Sequence, residues 1–372
     1  MKLPLSREPR YALNAVCPYF TMFPLEFPLS QLRDASKNSV LLDAFCGRGT
    51  TVYAGAIRGF ETYGIDSSPV AVAIAKAKLA HTSYRQVMTL ARHLVASIKW
   101  PSIPRREFWS YAYHPDTLRQ LCRLRTGLLE LPESPTTVLL RAIVLGSLHG
   151  PRAKDLENQS YLSNQMPRTY ASKPDYSVKY WRRRHLRPPK VDVLTAIGRR
   201  AKRVFASDRR ARSATCNVVL GNSEDPQSYS HVRNPVTLVV TSPPYYGLDT
   251  YNEDQWVRNW FLGGPSEVEY RRFDQISHSS QDDFAFSLAR VWDNVANVGA
   301  DNLRMVVRFG AIRSRKVDPI ELFMMSLRKS TAEWRVLTRV SCGTARRGKR
   351  QAIQMAVESA AITEHDFHVV RV

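Results

Sequence analysis

The sequence predicts an α/β fold in which a mostly parallel sheet is interrupted by a helical, strongly basic insertion. Three observations support this prediction. Residues 38–66 have the pattern of strand, glycine turn, helix and strand, with an acid at the end of each strand. Two further runs rich in β-branched residues, at 216–225 and 235–251, end in polar loops. Between these blocks, residues 84–212 combine helical periodicity with an excess of basic side chains.

The amino-terminal part of the sheet begins with the apolar run 40–42, which predicts a buried strand ending at Asp43. A glycine-rich turn follows it. The next helix is expected to stop at Gly59, because glycine readily takes the left-handed conformation that ends helices. Residues 62–65 predict a second short strand, which ends at Asp66.

The helix after the second strand has clear start signals. Ser67 or Ser68 can cap it, Pro69 stands in its first turn, and residues 71–80 carry it. This completes a strand–helix–strand–helix opening, which is typical of α/β sheets that bind ligands at the ends of their strands.

The insertion has a helical part and a basic part. Residues 84–100 and 115–149 have apolar side chains at helical spacing. Residues 151–212 hold 17 basic and 5 acidic residues, so +12 of the formal charge of +21 falls in one sixth of the chain. Aromatic residues are interleaved with these basic ones. The composition favours contact with nucleic acid over an ordinary solvated surface.

The carboxy-terminal part is predicted to complete the sheet. Residues 303–310 predict a further strand and residues 319–330 a helix. Residues 334–341 and 351–360 are interpreted as a closing antiparallel pair joined by a basic loop.

Composition also excludes several classes of protein. The longest apolar stretch, 136–147, contains Arg141 and is too short to span a bilayer. The first ten residues have charges and prolines where a signal peptide has its apolar core. The five cysteines are dispersed and none forms C-x-x-C, so we expect neither a disulfide framework nor a metal site. We expect a soluble, cytoplasmic protein whose positive charge favours a polyanionic partner.

The first candidate site is the segment 43–50, DAFCGRGT. Gly47 and Gly49 allow a tight turn and a close approach of the backbone to a ligand. The pattern lacks the third glycine or the lysine of a phosphate-binding loop, and Asp43 would repel a phosphate. An acid here suits a cationic, hydroxyl-rich ligand such as S-adenosylmethionine, with Asp66 placed to accept from its ribose hydroxyls.

The second candidate site is the segment 241–245, TSPPY. Two prolines after an apolar strand fix the backbone and remove its donors. The carbonyl groups and the Ser242 hydroxyl are then left as rigid acceptors, which suit a planar amine, and Tyr245 can stack on the ring that bears that amine. The aromatic segment that follows, with Trp256 and Trp260, either closes over the substrate or forms a core helix.

Together these motifs resemble those of the amino-group DNA methyltransferases, a Rossmann-like, S-adenosylmethionine-dependent family of the class I type. The residues that the resemblance implies for cofactor binding are Tyr19, Phe20, Asp43, Phe45, Gly47, Gly49, Thr50, Asp66, Asn222 and Thr241. The residues that it implies for catalysis are Ser242, Pro243, Pro244 and Tyr245.

The serine form of the catalytic motif goes mostly with cytosine N4 in that family. The resemblance therefore implies methyl transfer to the exocyclic N4 amine of cytosine in a specific DNA sequence, in a restriction-modification or defence system. Adenine N6 as the target, RNA as the substrate, and a non-catalytic nucleic-acid binder with the same core are the alternatives. A C5-cytosine enzyme is disfavoured, because its nucleophilic cysteine typically follows proline and this sequence has no Pro-Cys dipeptide.

On this interpretation residues 1–83 and 213–372 form the catalytic domain, and residues 84–212 form an insertion that binds DNA and recognises its target. Double-stranded DNA is the expected partner, which implies association with the nucleoid, and a cognate restriction or defence protein is the second. The basic residues expected to contact nucleic acid are Arg182, Arg183, Arg184, Arg187 and Lys190.

Overall fold

The protein is described by a computed structural model, in which the chain divides into two compact units. The helical unit comprises residues 1–18, 76–210 and 251–272, and the sheet unit comprises residues 19–75, 211–250 and 273–372. The structure describes residues 9–19, 23–150, 159–166, 173–206, 215–247, 255–269, 276, 278–311, 317–344 and 363–372.

The sheet unit contains one sheet of seven strands. The strands are β1 (Val40–Asp43), β2 (Glu61–Asp66), β3 (Cys216–Leu220), β4 (Val236–Thr241), β5 (Gly299–Ala311), β6 (Trp334–Thr344) and β7 (Thr363–Arg371). Their order is β3-β2-β1-β4-β5-β7-β6. The first five strands in that order run parallel, and β7 runs antiparallel to both β5 and β6. The predicted α/β, mostly parallel, Rossmann-like sheet is confirmed.

Among the described residues of the sheet unit are a short 3₁₀ helix (Pro226–Tyr229) and five α-helices that belong to it wholly or partly: α1 (Glu26–Gln31), α2 (Thr50–Arg58), α3 (Pro69–Leu79), α11 (Gln281–Asn297) and α12 (Pro319–Lys329). Helix α2 ends at Gly59, whose φ of 81° is the left-handed conformation expected there. The core between the sheet and α11 and α12 is aromatic, with Trp292, Phe309 and Phe323 buried in it. This core fixes the strand ends from which the candidate site is built.

Within the described residues, β6 forms its antiparallel pair with β7, a strand that the sequence did not predict. The strand predicted at residues 351–360 lies outside the described residues. Five of the nine residues of β7 are charged or histidine, which hides its strand character in the sequence. Three of these side chains have partners: Asp366 pairs with Arg308 on β5, Arg371 donates to the Ala296 carbonyl, and Glu364 accepts from Tyr245.

Among its described residues, the helical unit contains the 3₁₀ helix Pro9–Ala15, the carboxy-terminal end of α3 and seven further α-helices. They are α4 (Tyr84–Ser97), α5 (Glu107–Ala112), α6 (Pro115–Glu130), α7 (Pro135–Ser147), α8 (Pro174–Arg183), α9 (Val193–Phe205) and α10 (Trp256–Phe261). The periodic stretch 115–149 divides into two helices because Ser134 and Pro135 start a new one, with a capping box between Ser134 and Thr137. None of the helices in the described ranges is long and apolar enough to cross a membrane.

The predicted domain boundaries differ from the observed units. Residues 1–18, 76–83 and 251–272, predicted to be part of the catalytic domain, belong instead to the helical unit. The reason is packing: the Trp256 and Trp260 rings of α10 pack at 5.5 and 4.3 Å from the Trp109 ring of α5. Of the two interpretations of this segment, the structure supports the core helix.

Candidate active site at the carboxyl edge of the sheet

The carboxyl ends of β1 and β4 meet at the point where the strand order reverses, which is the usual ligand site of an open α/β sheet. The Thr241 hydroxyl, at the end of β4, donates a hydrogen bond of 2.6 Å to Asp43 Oδ1, at the end of β1. The Phe45 amide donates to the same oxygen at 3.2 Å. The hydrogen bond between Thr241 and Asp43 therefore joins the TSPPY segment to the segment 43–50.

Asp43 is almost fully buried, and its second oxygen, Oδ2, has no hydrogen-bond partner among the described residues. Burial raises the pKa of Asp43 to about 6, and the hydrogen bond from Thr241 opposes that rise. A buried carboxylate oxygen with unused accepting capacity is costly unless a ligand supplies a donor or a positive charge.

The glycine turn follows Asp43. Gly47 and Gly49 have φ values of 50° and 71°, in the left-handed region that glycine enters without steric cost. A Cβ on Gly49 would lie 2.6 Å from Ala75 Cβ and 2.9 Å from Ala75 Cα, whereas a Cβ on Gly47 would meet nothing within 4 Å. Gly49 is therefore required by packing against α3, and Gly47 borders open space at the site.

Asp66, at the end of β2, links two loops of the site. Its Oδ2 accepts from the Gly47 amide at 2.8 Å, and its Oδ1 accepts from the Ser68 amide at 2.8 Å. Burial raises its pKa to about 6, and both amide hydrogen bonds oppose the rise. Asp66 therefore positions the glycine turn and the start of α3, in addition to the ribose contact predicted for it.

Asn222 lies beside Asp66 because the Gly221 amide donates to the Asp66 carbonyl oxygen at 3.1 Å. The Asn222 side chain accepts from the Glu224 amide at 3.0 Å, which fixes the turn after β3. The neighbouring Ser223 hydroxyl donates to the Ala44 carbonyl, so this turn also contacts the turn after β1.

The TSPPY segment leaves β4 with Thr241 and Pro243 buried and with Ser242, Pro244 and Tyr245 partly exposed. The Tyr245 hydroxyl donates to Glu364 Oε1 at 3.1 Å, and its ring meets the Phe309 ring edge-on at 5.9 Å. Burial raises the pKa of Tyr245 well above its ordinary value, so the side chain is a neutral phenol.

The aromatic amino-terminal segment also reaches this edge. The Tyr19 hydroxyl donates to the Ser68 hydroxyl at 3.4 Å, which places Tyr19 beside the start of α3. Phe20 lies outside the described residues. Phe45 is partly buried against Trp292, with ring centroids 6.5 Å apart, and Thr50 is buried in the first turn of α2. The described residues predicted for the cofactor thus lie at one edge of the sheet, and their binding roles stay predictions.

S-adenosylmethionine fits these residues on two observations. The unpaired Oδ2 of buried Asp43 calls for a donor or a cation, which the ammonium or sulfonium group of the cofactor can supply. The open space over Gly47 leaves room beside the backbone. Within the described part of the chain, no group of three or more histidine, cysteine, aspartate or glutamate side chains is placed to hold a metal ion.

The basic residues predicted to contact nucleic acid lie in the helical unit. Helix α8 buries Val178 and Trp181, and the Trp181 indole donates to the Gln165 carbonyl at 2.6 Å. The opposite side exposes the predicted arginines. Of these, Arg182 pairs with Glu107 and Arg184 stacks on the Tyr180 ring at 4.8 Å. These exposed interactions cost little to break, so the side chains remain usable for phosphate.

The other two predicted basic residues follow α8. Arg187 is exposed, and Lys190 is exposed and pairs with Asp116 at 2.9 Å. Trp100 is 92% exposed in a connection that also carries Arg105, an exposure that sequence patterning could not reveal.

Sequence reasoning missed the side chains that β5 and β7 bring to the site. Glu364 contacts Tyr245 from 119 residues further along the chain, and no spacing rule connects the two. The Arg308–Asp366 pair, with Nε–Oδ1 and Nη2–Oδ2 distances of 2.7 and 2.8 Å, was missed for the same reason. Strand pairing could have revealed these residues only if β7 had been identified.

The strand order and the position of the site define a Rossmann-like α/β protein of the class I methyltransferase fold. No protein-family model matches the chain, and no curated protein matches it. Similar solved structures include the rRNA methyltransferase aviRa from Streptomyces viridochromogenes, at 13% identity and a TM-score of 0.33, covering 100% of this chain and 95% of that one.

A precorrin 8W decarboxylase from Methanobacterium thermoautotrophicum is 11% identical with a TM-score of 0.32, covering 96% of this chain and 95% of that one. A geranyl diphosphate methyltransferase in complex with SAM is 11% identical with a TM-score of 0.32, covering 94% of this chain and 84% of that one.

Proposed function

We propose that this protein is an S-adenosylmethionine-dependent methyltransferase that acts on the exocyclic N4 amine of cytosine in DNA. The observation that supports this most directly is the 2.6 Å hydrogen bond between Thr241 and Asp43, because it joins the glycine turn to the TSPPY segment at the switch point of the sheet. A cofactor site and an amine-accepting motif then share one edge, as methyl transfer between two ligands requires.

The chain's own residues would hold the cofactor. Asp43, with its unpartnered Oδ2, would face the positively charged methionine end, and Asp66 would accept from the ribose. Gly47 leaves room beside the turn. The cofactor supplies a sulfonium-bound methyl group as the electrophile. The protein has to bring an amine in line with that methyl group and exclude water.

Ser242 and the Pro243 carbonyl accept hydrogen bonds from the N–H groups of the target amine. An exocyclic amine is a poor nucleophile because its lone pair is conjugated into the ring, and these acceptors favour the pyramidal nitrogen that can attack. The base has to leave the duplex to reach the site, and Tyr245 supplies an aromatic surface for it. No covalent bond to the enzyme is needed.

The test is methylation of DNA and RNA in parallel, followed by mass spectrometry of the released nucleosides. We expect N4-methylcytosine from DNA, and a strong loss of product in the Ser242→Ala variant. As a matched control, Ser36→Ala removes an exposed serine hydroxyl remote from the TSPPY segment in sequence and should leave the yield unchanged.

N6-methyladenine would correct the base, and product in RNA alone would correct the nucleic acid. Absence of methyl transfer with the cofactor bound would favour a non-catalytic binder. 5-Methylcytosine alone would contradict the mechanism.

Cofactor affinity is expected to rise with pH between 5 and 7 and then level off. Asp43 and Asp66 have pKa values raised to about 6, so both are largely protonated at pH 5 in the free protein. A cationic ligand prefers the ionised carboxyls, and each should contribute about tenfold in Kd over this interval. Calorimetry on the protein and on Asp43→Asn measures this, and the variant should show a flatter profile. An equal slope in both would remove Asp43 from the cofactor site.

Replacing Arg182, Arg183 and Arg184 together with alanine is expected to weaken DNA binding without unfolding the helical unit. The plot of log affinity against log salt should become flatter by about 0.9 for each arginine that binds a phosphate in the parent protein. The matched control replaces three exposed arginines of the sheet unit, Arg33, Arg58 and Arg328. Equal slopes for the two triple variants in filter-binding titrations would place the nucleic acid elsewhere.

A further inference from the structure

The carboxylate of Glu364 on β7 lies against the TSPPY segment. Its Oε1 accepts a hydrogen bond of 3.1 Å from the Tyr245 hydroxyl, while Phe309 meets the Tyr245 ring edge-on with an interplanar angle of 85°. A ring held at its hydroxyl and along one side cannot turn freely about its side-chain bonds, so these two contacts define the plane of the ring.

The strand that carries Glu364 is itself held firmly. Glu364 pairs with Gly310 of β5 in the sheet register, and two residues away Asp366 forms a two-point ion pair with Arg308. The Arg308 guanidinium also lies over the Phe27 ring at 3.7 Å, so α1 packs against the same pair.

Burial and the negative charge of Glu364 raise the pKa of Tyr245, which keeps its hydroxyl protonated as the donor of this hydrogen bond. The positive charge of Arg308 lowers the pKa of Tyr245, but its effect is smaller than those of burial and Glu364. Tyr245 is a neutral donor and the carboxylate is an acceptor, and a hydrogen bond to an ionised group is roughly twice as strong as one between neutral groups.

We propose that Glu364 is a positioning residue for methyl transfer: through its hydrogen bond to the Tyr245 hydroxyl, it holds the Tyr245 ring in the plane on which the target base stacks. This inference rests on the proposed function and deepens it. Glu364 acts through Tyr245, so its removal should lower kcat and leave cofactor binding unchanged.

The test is a double-mutant cycle on the full-length chain, with Glu364→Ala, Tyr245→Phe and the double variant, followed by methylation kinetics. Each single change should lower kcat about tenfold, which corresponds to about 1.4 kcal/mol. The double variant should also lose about tenfold, because all three lack the same hydrogen bond. S-adenosylmethionine Kd should stay within about twofold throughout, and Glu364→Gln, whose amide oxygen still accepts, should recover kcat to within about threefold.

A hundredfold loss in the double variant, or full kcat in Tyr245→Phe, would overturn the inference. If Glu364→Ala fails to fold by circular dichroism, Tyr245→Phe and Glu364→Gln still decide the question, because they leave β7 without a truncated side chain. A parent chain that yields no methylated nucleoside overturns the proposed function and this inference together, whereas additive effects in an active parent overturn the inference alone.

Discussion

Gly49→Ala is expected to destabilise the sheet unit by about 2–5 kcal/mol. A φ of 71° costs a residue with a side chain about 1–2 kcal/mol. The added methyl group would lie 2.6 Å from Ala75 Cβ and 2.9 Å from Ala75 Cα, and such overpacking typically costs about 1–3 kcal/mol. Because these neighbouring atoms include backbone, no flexible side chain can yield. Urea denaturation of the full chain measures the destabilisation.

Gly47→Ala is the matched control for that substitution. Its φ of 50° carries the same kind of backbone cost, about 1–2 kcal/mol, but its new methyl group would meet nothing within 4 Å. The variant should fold, and it should bind S-adenosylmethionine at least about tenfold more weakly, because the methyl group enters the space that we assign to the cofactor. Equal destabilisation at the two glycines, or unchanged affinity in Gly47→Ala, would contradict these separate roles of the two residues.

Asp66→Ala is expected to weaken S-adenosylmethionine binding by about 1.5–3 kcal/mol, the range for losing a charged acceptor. It should also destabilise the fold by about 1–3 kcal/mol, because the Gly47 and Ser68 amides lose the oxygens to which they donate. Calorimetry gives the affinity, and urea denaturation gives the free energy of unfolding.

Asp225→Ala provides the control. Asp225 also accepts from a backbone amide, that of Gln227 at 2.9 Å, but it is exposed at the start of a short 3₁₀ helix after β3. Its removal should cost about 1 kcal/mol of stability, typical of a helix cap, and leave cofactor affinity unchanged. Asp66→Ala with parental affinity would place the ribose elsewhere and leave Asp66 a structural role only.

The glycine turn and the TSPPY segment were predictable because each is local. A strand, a turn and a helix start within a few residues fix where Asp43, Gly47 and Thr241 lie relative to their own strands. Parallel strands then carry these ends to one edge of the sheet. The 2.6 Å contact between Thr241 and Asp43, across 198 positions of the chain, follows from that geometry.

Which of the two units a chain segment joins is determined by packing and cannot be predicted from local sequence. The chain crosses between the two units several times. Residues 1–18 and 251–272, for example, belong to the helical unit although they border predicted sheet segments. The sequence left two roles open for Trp256 and Trp260, a core helix or a segment that closes over the substrate, and did not indicate with which residues they would pack. That choice depends on which aromatic partners lie within reach in three dimensions.

Local sequence was enough to predict the parallel sheet, the glycine turn after β1, the acid that ends β2 and the acceptor-rich segment after β4, because each depends on neighbours in the chain. The three-dimensional arrangement was needed to learn that β7 runs between β5 and β6, and hence that Glu364 holds Tyr245. The same is true of the packing of Gly49 on Ala75 and of the open space beside Gly47. Pairing between strands distant in sequence depends on the combined burial and hydrogen bonding of the whole sheet, which local pattern does not encode.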